Sequence, residues 1–133
     1  MKAPKDQHFL ADADAVRLIA DTIQVAGRKV LEIGPGDGVL TASLLARGAD
    51  IHAVELDATL LPNLERRFAG QLASGQLQII RGDASKVPLP EFEVVVANIP
   101  YSISSKITFR LLEIGFASAV LMYQLEFGKR MIA

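Results

Sequence analysis

Lys29-Val30-Leu31-Glu32-Ile33-Gly34-Pro35-Gly36-Asp37-Gly38 is the stretch on which the fold turns. Its first half is mostly aliphatic and β-branched, the composition of a buried strand. Its second half interleaves three glycines with a proline and an aspartate, letting the backbone turn tightly and lie close to a ligand. Leu40, Leu44 and Leu45 then recur at helical spacing up to Gly48. Strand, glycine turn and helix in that order open a β-α-β unit. Taken alone, such a turn is often merely structural. A dinucleotide fingerprint, G-x-G-x-x-G counted from Gly34, needs glycine at position 39, where Val39 stands, and this argues against NAD or FAD.

Outward from that stretch the same alternation continues. Upstream, Val16, Ile19, Ala20 and Ile23 share one helix face, which Asp12 or Asp14 can cap. Downstream, Ile51–Glu55 reads as a second strand, followed by one helix carrying Leu64 and Phe68, with Pro62 in its first turn. Leu77–Ile80 and Val94–Ala97 give the third and fourth strands. Ile103, Ile107, Leu111 and Ile114 line a helix ended by Gly115, and Ala119–Tyr123 is a fifth strand with a further helix beginning behind it. Strands alternating with helices predict an α/β fold: a doubly wound parallel sheet with helices on both faces. The expected strand order is 3-2-1-4-5, with a ligand crevice at the carboxyl ends of the strands.

The 133 residues suit one domain, and half of them are hydrophobic, which excludes a disordered chain. No apolar run reaches the roughly 18 residues of a membrane span, and the first residues carry no secretory signal, so a cytoplasmic protein without membrane contact is expected. The absence of cysteine removes disulfides, thiolate metal sites and a cysteine nucleophile; no metal site is expected. The net charge of -1 lacks the basic excess typical of nucleic-acid binders. Any full RNA-gripping surface is therefore expected to extend outside these residues.

Four places then carry chemistry. Gly34 and Gly36 offer open backbone after the first strand. Glu55 ends the second strand about 20 residues further on, where a carboxylate can accept hydrogen bonds from both ribose hydroxyls of a nucleoside cofactor. Asp83, in Gly82-Asp83-Ala84, ends the third strand, where it can accept from an adenine amino group; an aspartate there is also an ordinary cap or turn residue. Asn98-Ile99-Pro100-Tyr101 follows the fourth strand. The lone pair of an aromatic amine is delocalised, so the amine is a poor nucleophile. The Asn98 side-chain oxygen and a backbone carbonyl of the Ile99-Pro100 turn can accept its two N–H bonds and favour the localised lone pair of the transition state. Pro100 stiffens the turn, and Tyr101 can stack on a flipped base, a contact worth about 1–3 kcal/mol. His52, inside a strand, is read as structural.

Gln7-His8-Phe9-Leu10, Glu32-Ile33-Gly34-Pro35-Gly36, Glu55, Gly82-Asp83-Ala84 and Asn98-Ile99-Pro100-Tyr101 stand in the order found in the ribosomal RNA adenine dimethyltransferases. Leu121-Met122-Tyr123-Gln124-Leu125-Glu126-Phe127 through Arg130-Met131 resembles the same family, its archaeal members most. The resemblance implies the Rossmann-like S-adenosylmethionine-dependent methyltransferase fold. It also implies a cofactor site of His8, Leu10, Gly34, Gly36, Glu55, Asp83 and Asn98, and catalytic roles for Asn98, Pro100 and Tyr101. His8 replaces the more usual Asn and Ile99 the more usual Leu; the second change leaves the backbone acceptor in place. The implied reaction places two methyl groups on the 6-amino group of each of two adjacent adenosines near the 3′ end of small-subunit ribosomal RNA. The implied partner is that RNA or a pre-ribosomal particle, and the full-length enzyme is expected to be a monomer. No base catalyst is needed, because the methyl donor is already activated and the amine can lose its proton after transfer.

Members of the family continue past this point with more strands and a smaller helical domain. Residues 1–133 are therefore expected to be an incomplete cofactor-binding domain, ending after its fifth strand. As an isolated chain it is expected to bind cofactor weakly and to methylate poorly, with an apolar edge strand left uncovered. Three rivals stay open: an adenine methyltransferase acting on DNA or another RNA, a non-catalytic ribosome-assembly or nucleic-acid-binding module, and a nicotinamide-dependent oxidoreductase.

Overall fold

In the computed structural model the described residues are 20–21, 24–99, 106, 110 and 118–123. Five strands form one parallel sheet: β1 (Lys29–Ile33), β2 (Asp50–Glu55), β3 (Leu77–Arg81), β4 (Val94–Ile99) and β5 (Ser118–Tyr123). Their order is β3-β2-β1-β4-β5, the order expected from the alternation of strands and helices. β1 lies at the centre, pairing Val30 to Ile51 on one side and to Val94 on the other. Every connection must therefore cross a face of the sheet, and the ends of all five strands point the same way.

Because side chains alternate along a strand, the central strands feed two separate cores. Val30, Ile51, Ala53, Val94 and Val96 face one cluster, closed by Leu40, Leu44 and Leu45 of α1 (Val39–Ala46) and by Leu64 and Phe68. Leu31, Ile33, Val54, Val95 and Ala97 face the other, covered by Ala84, Val87, Leu89 and Phe92 from the segment after β3. Burying each large side chain contributes about 1.5–3 kcal/mol, so the interior of the sheet is the firm platform under the strand ends.

The helix expected over Leu64 and Phe68 is in fact broken. A 3-10 turn (Ala58–Leu60), capped by Asp57, leads into α2 (Leu61–Arg67), with Pro62 in its first turn as expected. The backbone leaves helical geometry at Phe68 and resumes as α3 (Ala69–Ser74). The break coincides with a close packing contact on the same face of the sheet. Phe68 is buried against Gly38, where an added Cβ would stand 2.7 Å from its ring and 3.2 Å from Leu64. With φ at +91° as well, position 38 admits glycine alone without strain. Gln76 reinforces this layer by donating its side-chain amide to the carbonyls of Leu45 (3.2 Å) and Ala49 (3.0 Å). Of the expected opening helix, Ala20 and Asp21 are described; Ala20 is buried in the first cluster. Among the described residues, no helix is long and apolar enough to cross a membrane.

Candidate active site

The glycine turn, the end of β2 and the turn after β3 are stitched together by backbone bonds at one edge of the sheet. Gly34 donates its N–H to the Val54 carbonyl at 2.9 Å, and Gly82 donates to the Glu55 carbonyl at 3.0 Å. On the other side of β1, Ile33 pairs with Ala97, which puts Asn98 one residue beyond that register, at the carboxyl end of β4. Gly34, Gly36, Glu55, Asp83 and Asn98 thus share one edge, formed by four strand ends. The expected residues His8, Leu10, Pro100 and Tyr101 lie outside the described residues, as does the side chain of Asn98.

Glu55 organises the centre of this edge. Only 5% exposed, it accepts the Gly36 N–H on Oε1 at 3.0 Å and the Asp57 N–H on Oε2 at 2.9 Å. Two bonds use about half of a carboxylate's acceptor capacity, so each oxygen retains capacity for a hydroxyl donor. Gly36 itself has φ +62°, and a Cβ there would meet nothing nearer than the Gly34 carbonyl at 4.0 Å. Its upper side is open, and a ligand can rest directly on its backbone.

Asp83, half-buried, plays the turn role and leaves part of itself free. Oδ1 accepts from the Ser85 hydroxyl at 2.7 Å and from the Ser85 N–H at 2.8 Å. Those two bonds hold its carboxyl below the usual aspartate range, with Lys86 and Lys106 adding to the effect. Among the described residues, Oδ2 takes no hydrogen bond.

Two features of this edge were not singled out in the sequence. Leu56, between Glu55 and Asp57, is 56% exposed, a large apolar side chain at the mouth of an otherwise polar edge. The signal was present: an aliphatic residue just past a strand end, flanked by two acids. The second is Glu32, 2% exposed within β1, which accepts the Thr41 hydroxyl of α1 at 2.6 Å. Burial is the main cause that pushes its carboxyl up to about 7; the Thr41 bond works against this and the nearby charge of Glu55 works with it. Glu32 and Thr41 tie the two ends of the glycine turn together from below. From above, Arg67 donates to the Asp37 carbonyl at 2.8 Å.

At the opposite edge of the sheet, a depression bordered by Asp21, Arg28 and Arg47 holds little chemistry. Arg47 is already bound to Asp21 (2.8 Å) and to the Ser43 hydroxyl (2.6 Å). His52, in mid-β2 and paired with Leu31 and Gln78, stands away from the strand ends.

The edge therefore offers two carboxylates on adjacent strand ends, open glycine backbone on the other side of Glu55, and an exposed aliphatic side chain alongside. This set of acceptors, with the aliphatic side chain beside it, fits a nucleoside with ribose hydroxyls, an amino group and an apolar ring. Comparison with known proteins agrees. Residues 2–133 match the family model described as ribosomal RNA adenine dimethylase. A probable ribosomal RNA small subunit methyltransferase A of Methanospirillum hungatei JF-1 is 61% identical over 133 residues, 100% of this chain and 52% of that protein. A ribosomal RNA small subunit methyltransferase of Arabidopsis thaliana is 47% identical over 97% of this chain and 37% of its own length. Among solved structures, a dimethyladenosine transferase from Plasmodium falciparum superposes with TM-score 0.71 at 35% identity, covering 99% of this chain and 46% of that one. The 23S rRNA methyltransferase ErmE gives 0.75 at 31%, covering 90% and 49%. The chain spans about half the length of the archaeal relative and of both solved structures.

Proposed function

The chain belongs to the ribosomal RNA adenine dimethylase family, and on that premise we propose that it is the S-adenosylmethionine-binding part of an enzyme that dimethylates the 6-amino group of adenosines in small-subunit ribosomal RNA. The observation that carries this reading is the meeting of Gly36, Glu55, Asp83 and Asn98 at one sheet edge, with Glu55 bonded to the Gly36 N–H at 3.0 Å. The proposal includes the RNA or a pre-ribosomal particle as partner, a cytoplasmic setting and a monomeric full-length enzyme.

S-adenosylmethionine supplies a methyl group already activated on a sulfonium. The remaining work is placement. Glu55 would accept the ribose hydroxyls with the acceptor capacity its two backbone bonds leave. Asp83 Oδ2 would accept from the adenine amino group, and Leu56 would cover the apolar ring. Gly34 and Gly36 would carry the amino-acid end on open backbone, with His8 and Leu10 closing over it. The target amine would be held by the Asn98 oxygen and a carbonyl of the Ile99-Pro100 turn, with Tyr101 against the base. Donors and acceptors fixed beforehand in this way favour the transition state over the ground state.

The test uses the full-length protein with labelled S-adenosylmethionine and three acceptors: small-subunit particles lacking the modification, large-subunit RNA and duplex DNA. Label in dimethyladenosine of the small-subunit RNA is expected. Label confined to DNA or to large-subunit RNA redirects the target. Cofactor binding with no transfer to any acceptor favours a non-catalytic role in assembly.

A further inference from the structure

The segment between β3 and β4 keeps its opposite charges at opposite ends. Where it meets the start of β1, Glu93 accepts the Lys29 N–H at 3.0 Å and Glu91 pairs with the Lys29 ammonium at 3.6 Å. At the carboxyl edge its charge is positive. Lys86 closes the turn at Asp83, donating its N–H to the Asp83 carbonyl at 2.8 Å, and is itself exposed. A second cation arrives from another element. Arg110 donates to the Ala84 carbonyl at 2.8 Å and so pins the crossover between β4 and β5 against this turn. Lys106 and Arg110 are both helical and, four positions apart, fall on one helix face. The crossover must run back from the carboxyl ends of two parallel strands, so the exposed Lys106 stands nearer that edge than Arg110. Lys86 and Lys106 thus flank Asp83, and each acts on its carboxyl.

Asp83 does not satisfy both lysines. Its Oδ1 is taken by Ser85, and among the described residues neither ammonium forms an ion pair. The methyl donor supplies no anion at this place either. Its carboxylate belongs to the amino-acid end, assigned to Gly34 and Gly36, and its adenine end is uncharged. The molecule that brings negative charge to this edge, one phosphate per nucleotide, is the RNA that carries the target amine to Asn98. Asn98 lies at the end of β4, and Lys106 follows eight positions later in the chain. We infer that Lys86 and Lys106 form a phosphate-docking site for the RNA strand beside the target adenosine. This rests on the target reading above. Phosphate contacts fix register without reading sequence, so the two lysines act on RNA affinity and leave the donor site alone.

The experiment measures Kd of the full-length protein for unmodified small-subunit particles, and for the protein-free RNA extracted from them, between about 50 and 200 mM potassium chloride. Lys86→Ala and Lys106→Ala should each weaken binding about 3–10-fold at the lower salt. Each should also reduce the slope of log Kd against log salt by about 0.7–0.9, the mark of one lost phosphate contact. Lys86→Arg and Lys106→Arg should keep the wild-type slope, and Kd for S-adenosylmethionine should be the same in all variants. Arg66→Ala removes an exposed charge from α2, on the other face of the sheet, and should leave the slope unchanged. A wild-type slope in both alanine variants, or an equal loss in Arg66→Ala, overturns the inference. So does weaker binding to particles with undiminished binding to the protein-free RNA, which would set the lysines against a ribosomal protein. Lysine-dependent RNA binding without methyl transfer by the wild type upholds RNA docking and overturns the dimethylation reading instead.

Discussion

Glu55 and Gly36 come from different strand ends and are joined directly: the carboxylate Oε1 accepts the glycine N–H at 3.0 Å. The acid expected to bind ribose is therefore also a strut of the turn expected to cradle the rest of the cofactor. Loss of its carboxylate should disturb both. Glu55→Ala should raise the Kd for S-adenosylmethionine about 10–100-fold, the equivalent of losing charge-assisted bonds worth about 1.5–3 kcal/mol. Glu55→Gln, with one acceptor oxygen left, should fall between. Calorimetry at fixed pH gives the answer, and unchanged affinity would remove Glu55 from the site.

Gly38 should tolerate no side chain. Gly38→Ala meets the Phe68 ring at 2.7 Å and occupies φ +91°, which together should cost about 2–4 kcal/mol. Urea unfolding should register the loss, and adding Phe68→Leu should recover the overpacking share while leaving the backbone share. If the single variant were as stable as the wild type, the packing of α2 on the turn would need revision.

Glu32 ties stability to pH. Its carboxyl rises from 4.5 to about 7 on folding, chiefly through burial. A group raised in the folded state supports folding fully below its unfolded value, and that support fades as pH climbs to the folded value. Relative to Glu32→Gln, the wild type should therefore lose up to about 3 kcal/mol between pH 4.5 and 7 and stay level above. Parallel denaturant titrations of the two proteins at several pH values check this; a constant gap contradicts it.

Much of this fold could be read in the chain because strands buried on both faces announce themselves. Val94-Val95-Val96-Ala97 has no polar face to show, and the structure buries all four residues completely. Strand order followed from alternation together with the glycine turn. Phe68 was harder. At i+4 from Leu64 it fits one continuous helix, and the break accompanies a contact with Gly38, 30 positions away in the chain, that no local pattern encodes. Glu32 was half-legible: an acid in an aliphatic strand demands a partner, but Thr41 becomes that partner only once α1 folds back over β1. Asp83 was ambiguous in sequence because turn and ligand roles use the same residue, and the structure shows the turn role on Oδ1.

Asn98 should divide chemistry from binding. In the full-length enzyme, Asn98→Ala should lower the methyl-transfer rate at least about 100-fold, as expected when a transition-state acceptor is removed. Affinity for S-adenosylmethionine should change far less. Single-turnover kinetics beside calorimetry separate the two, and an unaltered rate would take Asn98 out of catalysis.

The most direct measurement is a crystal structure of the protein with S-adenosylhomocysteine. The nucleoside should lie at the carboxyl ends of β1, β2 and β3, its ribose hydroxyls on Glu55, its amino group on Asp83 and its backbone contacts at Gly34 and Gly36. A nucleoside found anywhere else, with Glu55 still bonded only to Gly36 and Asp57, would contradict the assignment of this edge as the methyl-donor site.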